Sequence, residues 1–251
     1  MLVMGILNVT PDSFADGGKH NDFEAAVARG LEMIAEGVDI IDIGGESTRP
    51  GADRVSEDEE IARTIPVIKE LAKHGVKISI DTMRASTAKA AIEAGASIIN
   101  DVSGGLADPL MLQTAAALNV PYIAMHWRGQ SKDMNSKAIY GDVVSDVISE
   151  LQERIDAALD AGISADNLII DPGLGFAKDA DHNWAIIDAI DQFVATGYPV
   201  LVGASRKRFL GGDSPDEREQ ATIDLTKRLG NTGVWAVRVH SVKPHKEVLS
   251  A

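Results

Sequence analysis

The residues in this sequence best able to do chemistry stand at the ends of short apolar runs. Ile78-Ser79-Ile80 leads into Asp81-Thr82, Ile98-Ile99 into Asn100-Asp101, and Leu168-Ile169-Ile170 into Asp171-Pro172-Gly173-Leu174-Gly175-Phe176. Any one of these aspartates could simply cap a following helix. Three carboxylates at separate strand ends converge if the strands belong to one barrel. A carboxylate beside an amide can read the hydrogen-bonding edge of a heterocycle. The parallel N–H groups of a 2-amino-4-oxo-pyrimidine suit a carboxylate much as a guanidinium does. Two later runs end in basic residues, Gly203-Ala204-Ser205-Arg206-Lys207-Arg208 and Val237-Arg238-Val239-His240. Arg238 and His240 are two apart and share one strand face. With Ser205 and Lys207 they form a local positive cluster suited to phosphate. Arg208 reads as a solvated helix start. A lone His240 would more often be structural, but beside Arg238 it reads as a ligand-binding residue.

Two Gly-rich connections add polar groups. The first runs Asn8-Val9-Thr10-Pro11-Asp12-Ser13-Phe14 and on to Gly17-Gly18; the second runs Asp42-Ile43-Gly44-Gly45-Glu46-Ser47-Thr48-Arg49-Pro50-Gly51. Turn residues alone would account for much of the first. Asn8, at a strand end, is also placed to ligate Mg²⁺ or touch phosphate through its amide. The second puts carboxylates, hydroxyls and an Arg around glycines that permit close approach. Gly173-Leu174-Gly175 matches only a fragment of a phosphate loop. His20, His74, His182 and His245 share no metal-ligand spacing, and no His-Glu-x-x-His zinc motif is present.

Elements that could position these groups alternate along the chain. Eight Val- and Ile-rich runs read as strands: 2–7, 38–43, 77–80, 97–102, 122–125, 168–170, 200–202 and 234–239. They lack clean polar alternation, as parallel strands covered on both faces do. Apolar spacings of three and four between them predict helices over 23–36, 57–73, 87–94, 110–118, 143–159, 183–194 and 218–229. Gly37, Gly75, Gly95, Gly162, Gly197 and Gly230 fall where a helix would end in a left-handed residue. Eight strand–helix repeats in 251 residues favour an α/β chain closed as a single-domain (β/α)₈ TIM barrel over residues 1–251, rather than an open doubly wound sheet. The two long connections would both open on the catalytic face, where lids are common.

Composition narrows the partners. The formal net charge is −14, so the overall field repels nucleic acid and anionic membranes. Any anionic substrate must be held by a local basic cluster. Cysteine is absent, which excludes disulfides and thiolate zinc sites and suits a reducing cytoplasm. No run reaches the roughly 18 apolar residues of a membrane span, and Met1 to Asn8 reads as a strand rather than a signal peptide.

Taken in order, the segments 4–14, 42–51, 79–82, 98–101, 171–176, 203–207 and 238–240 resemble those of the dihydropteroate synthase family of pterin-binding barrels, the folate-pathway target of sulfonamides. The resemblance covers nearly the whole chain. It implies condensation of 7,8-dihydropterin-6-ylmethyl diphosphate with 4-aminobenzoate, giving 7,8-dihydropteroate and diphosphate, with Mg²⁺ as cofactor and a homodimer as the assembly. It further implies that Asp81, Asn100, Asp171 and Lys207 line the pterin pocket with Arg238 stacked on the ring. Thr48, Arg238 and His240 would hold diphosphate, and Asn8 the metal. Thr48, Pro50, Phe14, Phe176 and Ser205 would surround 4-aminobenzoate, with Arg49 ordering the loops. Asp81, Lys207 and Arg49 would form the catalytic set.

Two departures from the family pattern stand out. Ser241-Val242 follows His240 where Asp-Val is expected, removing a carboxylate that could orient the imidazole, and the short stretch after Pro244 predicts an abbreviated last helix. The rival enzyme reading is a corrinoid-linked methyltransferase domain that binds methyltetrahydrofolate. It has no use for a diphosphate site, so the segments 48–51, 205–207 and 238–240 argue against it. A non-catalytic pterin-binding paralogue is a third reading, against which the motif set is nearly intact. Phe14 and Pro50 follow the ordinary family pattern, and predict a sulfonamide-sensitive enzyme.

Overall fold

A computed structural model describes residues 1–10, 18–46, 55–129 and 134–250. Strands β1 (Leu2–Asn8), β2 (Ile40–Gly44), β3 (Lys77–Asp81), β4 (Ile98–Asp101), β5 (Tyr122–Met125), β6 (Leu168–Asp171), β7 (Leu201–Val202) and β8 (Ala236–Val239) form one parallel sheet. The order is β6-β5-β4-β3-β2-β1-β8-β7, and a parallel bridge between Ile170 and Val200 joins the two ends into a barrel. The expected (β/α)₈ architecture is therefore present.

Helices α1 (Gly18–Ala35), α2 (Glu57–Leu71), α3 (Ala85–Ala94), α4 (Met111–Leu118), α5 (Val143–Asp160), α6 (Ala180–Asp188), α7 (Ile190–Val194), α8 (Glu219–Leu229) and α9 (Lys243–Ser250) alternate with the strands. Their starts and faces follow from local chemistry. Ser56 accepts from the Glu59 amide at the head of α2, whose first turn is wholly acidic and so complements the helix dipole. On α5, Asp142 caps the first turn and the buried stripe runs Val143, Val147, Leu151, Ile155, Ala158.

Several expectations need correction in detail. The stretch 183–194 is two helices, α6 and α7, meeting at Ala189. The stretch 57–73 ends its last turn as a 3₁₀ segment, Ala72–His74. Gly230 keeps a right-handed conformation (φ −54°) and is not a left-handed terminator, whereas Gly37, Gly75, Gly95, Gly162 and Gly197 all have positive φ. Asn119 takes the left-handed position after α4, a role an asparagine tolerates. The last helix is short but closes its edge. Val242 and His245 are buried, and Lys246 reaches back to Asp39 at 2.9 Å.

Residue parity divides the barrel into two environments. One set of side chains packs outward under the helices. The other points inward, and its lower layer is apolar: Met4, Ile40, Ile98, Ile123, Ile169, Leu201 and Ala236. Nearer the C-terminal ends of the strands, the same parity brings Asn8, Asp42, Asp81, Asn100, Asp171 and Arg238 to one mouth.

Candidate active site

Arg238 sits at the centre of this mouth. Its Nε donates to Asp42 Oδ2 at 2.6 Å and its Nη2 to Asp81 Oδ2 at 2.7 Å. Asn100 Nδ2 also donates to Asp42 Oδ2, at 3.1 Å. Asp42 is fully buried, and Asp81 and Asn100 nearly so. Burial works against the Arg238 charge, but Asp42 and Asp81 outweigh it and hold the guanidinium still more firmly protonated. Burial pushes the Asp81 carboxyl up to about 7; Arg238 opposes that shift, while Asp42 and Glu60 reinforce it.

Asp171 lies on the opposite wall, buried, and accepts from the Gly173 amide at 2.7 Å. Burial raises its carboxyl, against the pull of Lys207. Lys207 arrives from the turn after β7, donates to the Leu174 carbonyl and lies 4.6 Å over the Phe176 ring. Burial lowers its amine to about 8, with Asp171 opposing. Gly175 makes room for it: φ is +76°, and a Cβ there would stand 2.8 Å from Lys207 Cδ. The expected pterin set of Asp81, Asn100, Asp171, Lys207 and Arg238 is thus gathered in one place.

His240 and Ser205 meet beside it. The Ser205 hydroxyl accepts from the His240 backbone N–H at 3.2 Å and lies 2.9 Å from Nδ1. The hydroxyl can donate to Nδ1 or accept from it, according to the imidazole tautomer. Ser205, not residue 241, therefore orients His240. Ser241 turns the other way and donates to Glu219 on α8. Glu219 also pairs with Arg206 at 2.6 Å, so Arg206 is drawn away from the mouth into a structural pair with φ +58°. Arg208 is exposed, as a solvated residue should be. Asn8 is half-buried at the end of β1, opposite Gly44. Phe14, Thr48, Arg49 and Pro50 lie outside the described residues.

One expectation fails. Asp101 does not converge with Asp81 and Asp171. It is one residue out of phase with Asn100, faces outward, and accepts from the Ser103 amide and hydroxyl, the Gly105 amide and the Tyr122 hydroxyl. The third carboxylate of the mouth is Asp42, which sequence reasoning placed only among loop polar groups. Its signal was available: one carboxylate inside Ile40-Ile41-Asp42-Ile43, in the inward phase set by Ile40 and Gly44.

Comparison with known proteins agrees with this arrangement. The family model described as pterin binding enzyme matches residues 4–240. A dihydropteroate synthase of Mycobacterium leprae is 49% identical over 257 residues, covering 98% of this chain and 90% of the relative. Among solved structures, Xanthomonas albilineans dihydropteroate synthase with 4-aminobenzoic acid superposes with a TM-score of 0.93 at 43% identity, covering 99% of this chain and 90% of that one. The Yersinia pestis dihydropteroate synthase in a sulfonamide drug complex superposes with a TM-score of 0.93 at 39% identity, over 99% and 92%. A barrel whose inward phase carries this ring of acids, amide and Arg, matched over nearly its whole length at such identity, belongs to the pterin-binding enzyme family and, within it, to the dihydropteroate synthases.

Proposed function

We propose that this chain condenses 7,8-dihydropterin-6-ylmethyl diphosphate with 4-aminobenzoate, releasing diphosphate and forming 7,8-dihydropteroate. The observation that carries this reading is the ring of Asp42, Asp81, Asn100 and Asp171 crossed by Arg238 above an apolar floor. Carboxylates and an amide at these positions suit the amino-oxo edge of a pterin, and the flat guanidinium suits its face. The positive groups of Arg238 and Lys207, with the His240 imidazole beside them, supply the local charge that an anionic substrate needs against a chain of net charge −14.

The chemistry follows from the same groups. The methylene C–O bond breaks with its electron pair leaving on diphosphate, and positive charge spreads into the dihydropterin ring. Ionised Asp81 stabilises that charge, while Arg238 and the His240 imidazole stabilise the leaving anion. The arylamine lone pair then forms the new C–N bond and the amine loses a proton. An arylamine needs no activated side-chain nucleophile.

Mg²⁺ fits this donor set as a cofactor held jointly with substrate. Asn8 offers one hard oxygen at the mouth, and no cluster of three His, Asp or Glu ligands exists among the described residues. That suits an ion that takes most of its ligands from phosphate and water. When bound it would neutralise charge developing on the leaving diphosphate. We place Thr48 with the diphosphate, Arg49, Pro50 and Phe14 with Phe176 and Ser205 around 4-aminobenzoate, and sulfonamides as competitors for that subsite. We take the working assembly to be a homodimer in the cytoplasm. Among the described residues no helix is long and apolar enough to cross a membrane.

The test is a coupled assay of the two substrates with and without Mg²⁺. Wild type forms dihydropteroate and diphosphate in equal amounts only with the metal, a sulfonamide raises the apparent KM for 4-aminobenzoate, and Asp81→Ala is inactive. Wild-type binding of the pterin diphosphate without product would refute the assignment.

A further inference from the structure

The turn after β6 is wrapped around two ammonium groups, and the reaction described above uses only one of them. Gly173, Gly175 and Ala177 all have left-handed backbone, at φ 67°, 76° and 48°. Alternating handedness aims the carbonyls to different sides of the turn. The Leu174 carbonyl accepts from Lys207. The carbonyls of Gly173 and Phe176 accept from Lys178 Nζ, at 3.1 Å each. The third partner of Lys178 is His126 Nδ1, at 2.9 Å. Lys178 is 8% exposed and His126 only 1%.

An ammonium has three N–H donors and no acceptor, so this arrangement satisfies every one of them. His126 Nδ1 then accepts, its proton is on Nε2, and Nε2 donates to Glu150 Oε2 at 2.9 Å. Glu150, on α5, is also held by Arg128, whose Nε donates to Oε2 at 3.0 Å and whose Nη2 donates to Oε1. The Arg128 guanidinium stacks 3.8 Å over the Tyr140 ring, and the Tyr140 hydroxyl donates to the Ala177 carbonyl at 2.9 Å. The network therefore begins and ends on the same turn. The charges around it tune these roles, the three-donor ammonium being the dominant form below about neutral pH. Burial lowers Lys178 to about 7 against the pull of Asp171, with Lys207 and Arg128 lowering it further and Glu150 opposing. Burial and Lys178 together hold His126 near 4, in its neutral form.

We propose that Lys178, held by His126, is a positioning residue for the aminobenzoate half of the site: it fixes the carbonyls of Gly173 and Phe176, and through them the Phe176 ring. Neither Lys178 nor His126 touches the reacting groups. The strand-borne Asp42, Asp81, Asn100 and Arg238 do not depend on the turn, and only Asp171 and Lys207 of the pterin set touch it, whereas Phe176 is carried by it, so loss of the clamp falls more heavily on 4-aminobenzoate than on the pterin. This inference rests on the function proposed above.

The test uses Lys178→Met, and Lys178→Cys alkylated with 2-bromoethylamine in urea and refolded. The sequence has no other cysteine, so the added amine is confined to this position. Lys178→Met is expected to raise KM for 4-aminobenzoate by about tenfold or more, since small misplacements of a positioning group have effects of that order or larger. Binding of the pterin diphosphate should weaken clearly less than the KM for 4-aminobenzoate rises, and aminoethylation should restore the low KM. Backbone amides from Leu174 to Lys178 should also exchange faster in ligand-free Lys178→Met. That readout needs no turnover, so it separates failure of the clamp from failure of the functional reading, which a wild type without product would reveal. If Lys178→Met does not fold, His126→Leu removes the acceptor facing Lys178, and the same KM shift is expected. Unchanged exchange and KM, or an equal loss for both substrates that aminoethylation does not rescue, would overturn the proposal.

Discussion

Arg238 donates through Nε to Asp42 and through Nη2 to Asp81, and this division predicts how the mouth responds to mutation and to pH. Asp81 must be ionised to balance positive charge on the pterin ring. Because burial holds its carboxyl near 7, the ionised fraction grows as pH rises through neutrality. Lys207 must stay protonated to attract the anionic substrate, and burial brings its amine down to about 8. The plot of kcat/KM against pH should therefore be a narrow bell, rising near 7 and falling near 8, with both limbs belonging to the coupled cluster. Asp81→Asn should lower kcat by about 10² to 10³ and remove the acid limb from the residual activity. An acid limb that persists unchanged in this variant would exclude Asp81 as its source. Asp42→Ala should weaken pterin binding, by calorimetry, while Asp101→Ala should act on stability alone, since Asp101 faces the helix layer.

Elements contribute through their ends. The β6–α6 turn depends on Gly173: φ is +67°, and a Cβ would fall 2.4 Å from the His126 carbonyl. Gly173→Ala combines left-handed strain with a backbone clash and should cost roughly 2–3 kcal/mol in urea unfolding. The β2–α2 connection is tied at both stems by one side chain. Arg84 donates to Glu46 at 2.8 Å, to the Val55 carbonyl at 2.5 Å and to Glu60. Glu60 is 1% exposed and also accepts from Thr82 and Thr87. Arg84→Met leaves that buried carboxylate without its cation and should destabilise by roughly 3 kcal/mol. Arg84→Lys, which keeps the charge but not the three-way fork, should recover part of the loss. Equal stability of Arg84→Met and wild type would show that the hydroxyls of Thr82 and Thr87 suffice.

For the molecule as a whole, opposing fields act on an anionic substrate. The net charge of −14 repels it at long range, and the positive groups of the mouth attract it at short range. Salt screens the first more than the second, because the Debye length is about 10 Å at 0.1 M and the mouth is partly desolvated. From low ionic strength up to about 0.1 M, kcat/KM for the pterin diphosphate should therefore hold steady or rise. A steep fall by stopped-flow association would mean that the local cluster dominates at long range.

Much of this was legible in the residues alone. Val- and Ile-rich runs, helical periodicity between them and glycines at the helix ends, five of them left-handed, favour a parallel barrel, because each reports a local backbone preference that packing then reinforces. Asp81, Asn100, Asp171 and Arg238 could be assigned to the mouth because strand ends and parity are local properties too. Only the tertiary structure decided which charges pair. Asp42 and Asp101 look alike as carboxylates on buried strands, yet a one-residue difference in phase sends one to Arg238 and the other to Tyr122. Ser241 pairs with Glu219 on α8, and Lys178 meets His126 across 52 positions. Such pairings depend on distances between elements that the barrel's curvature sets, and no local pattern along the chain encodes them.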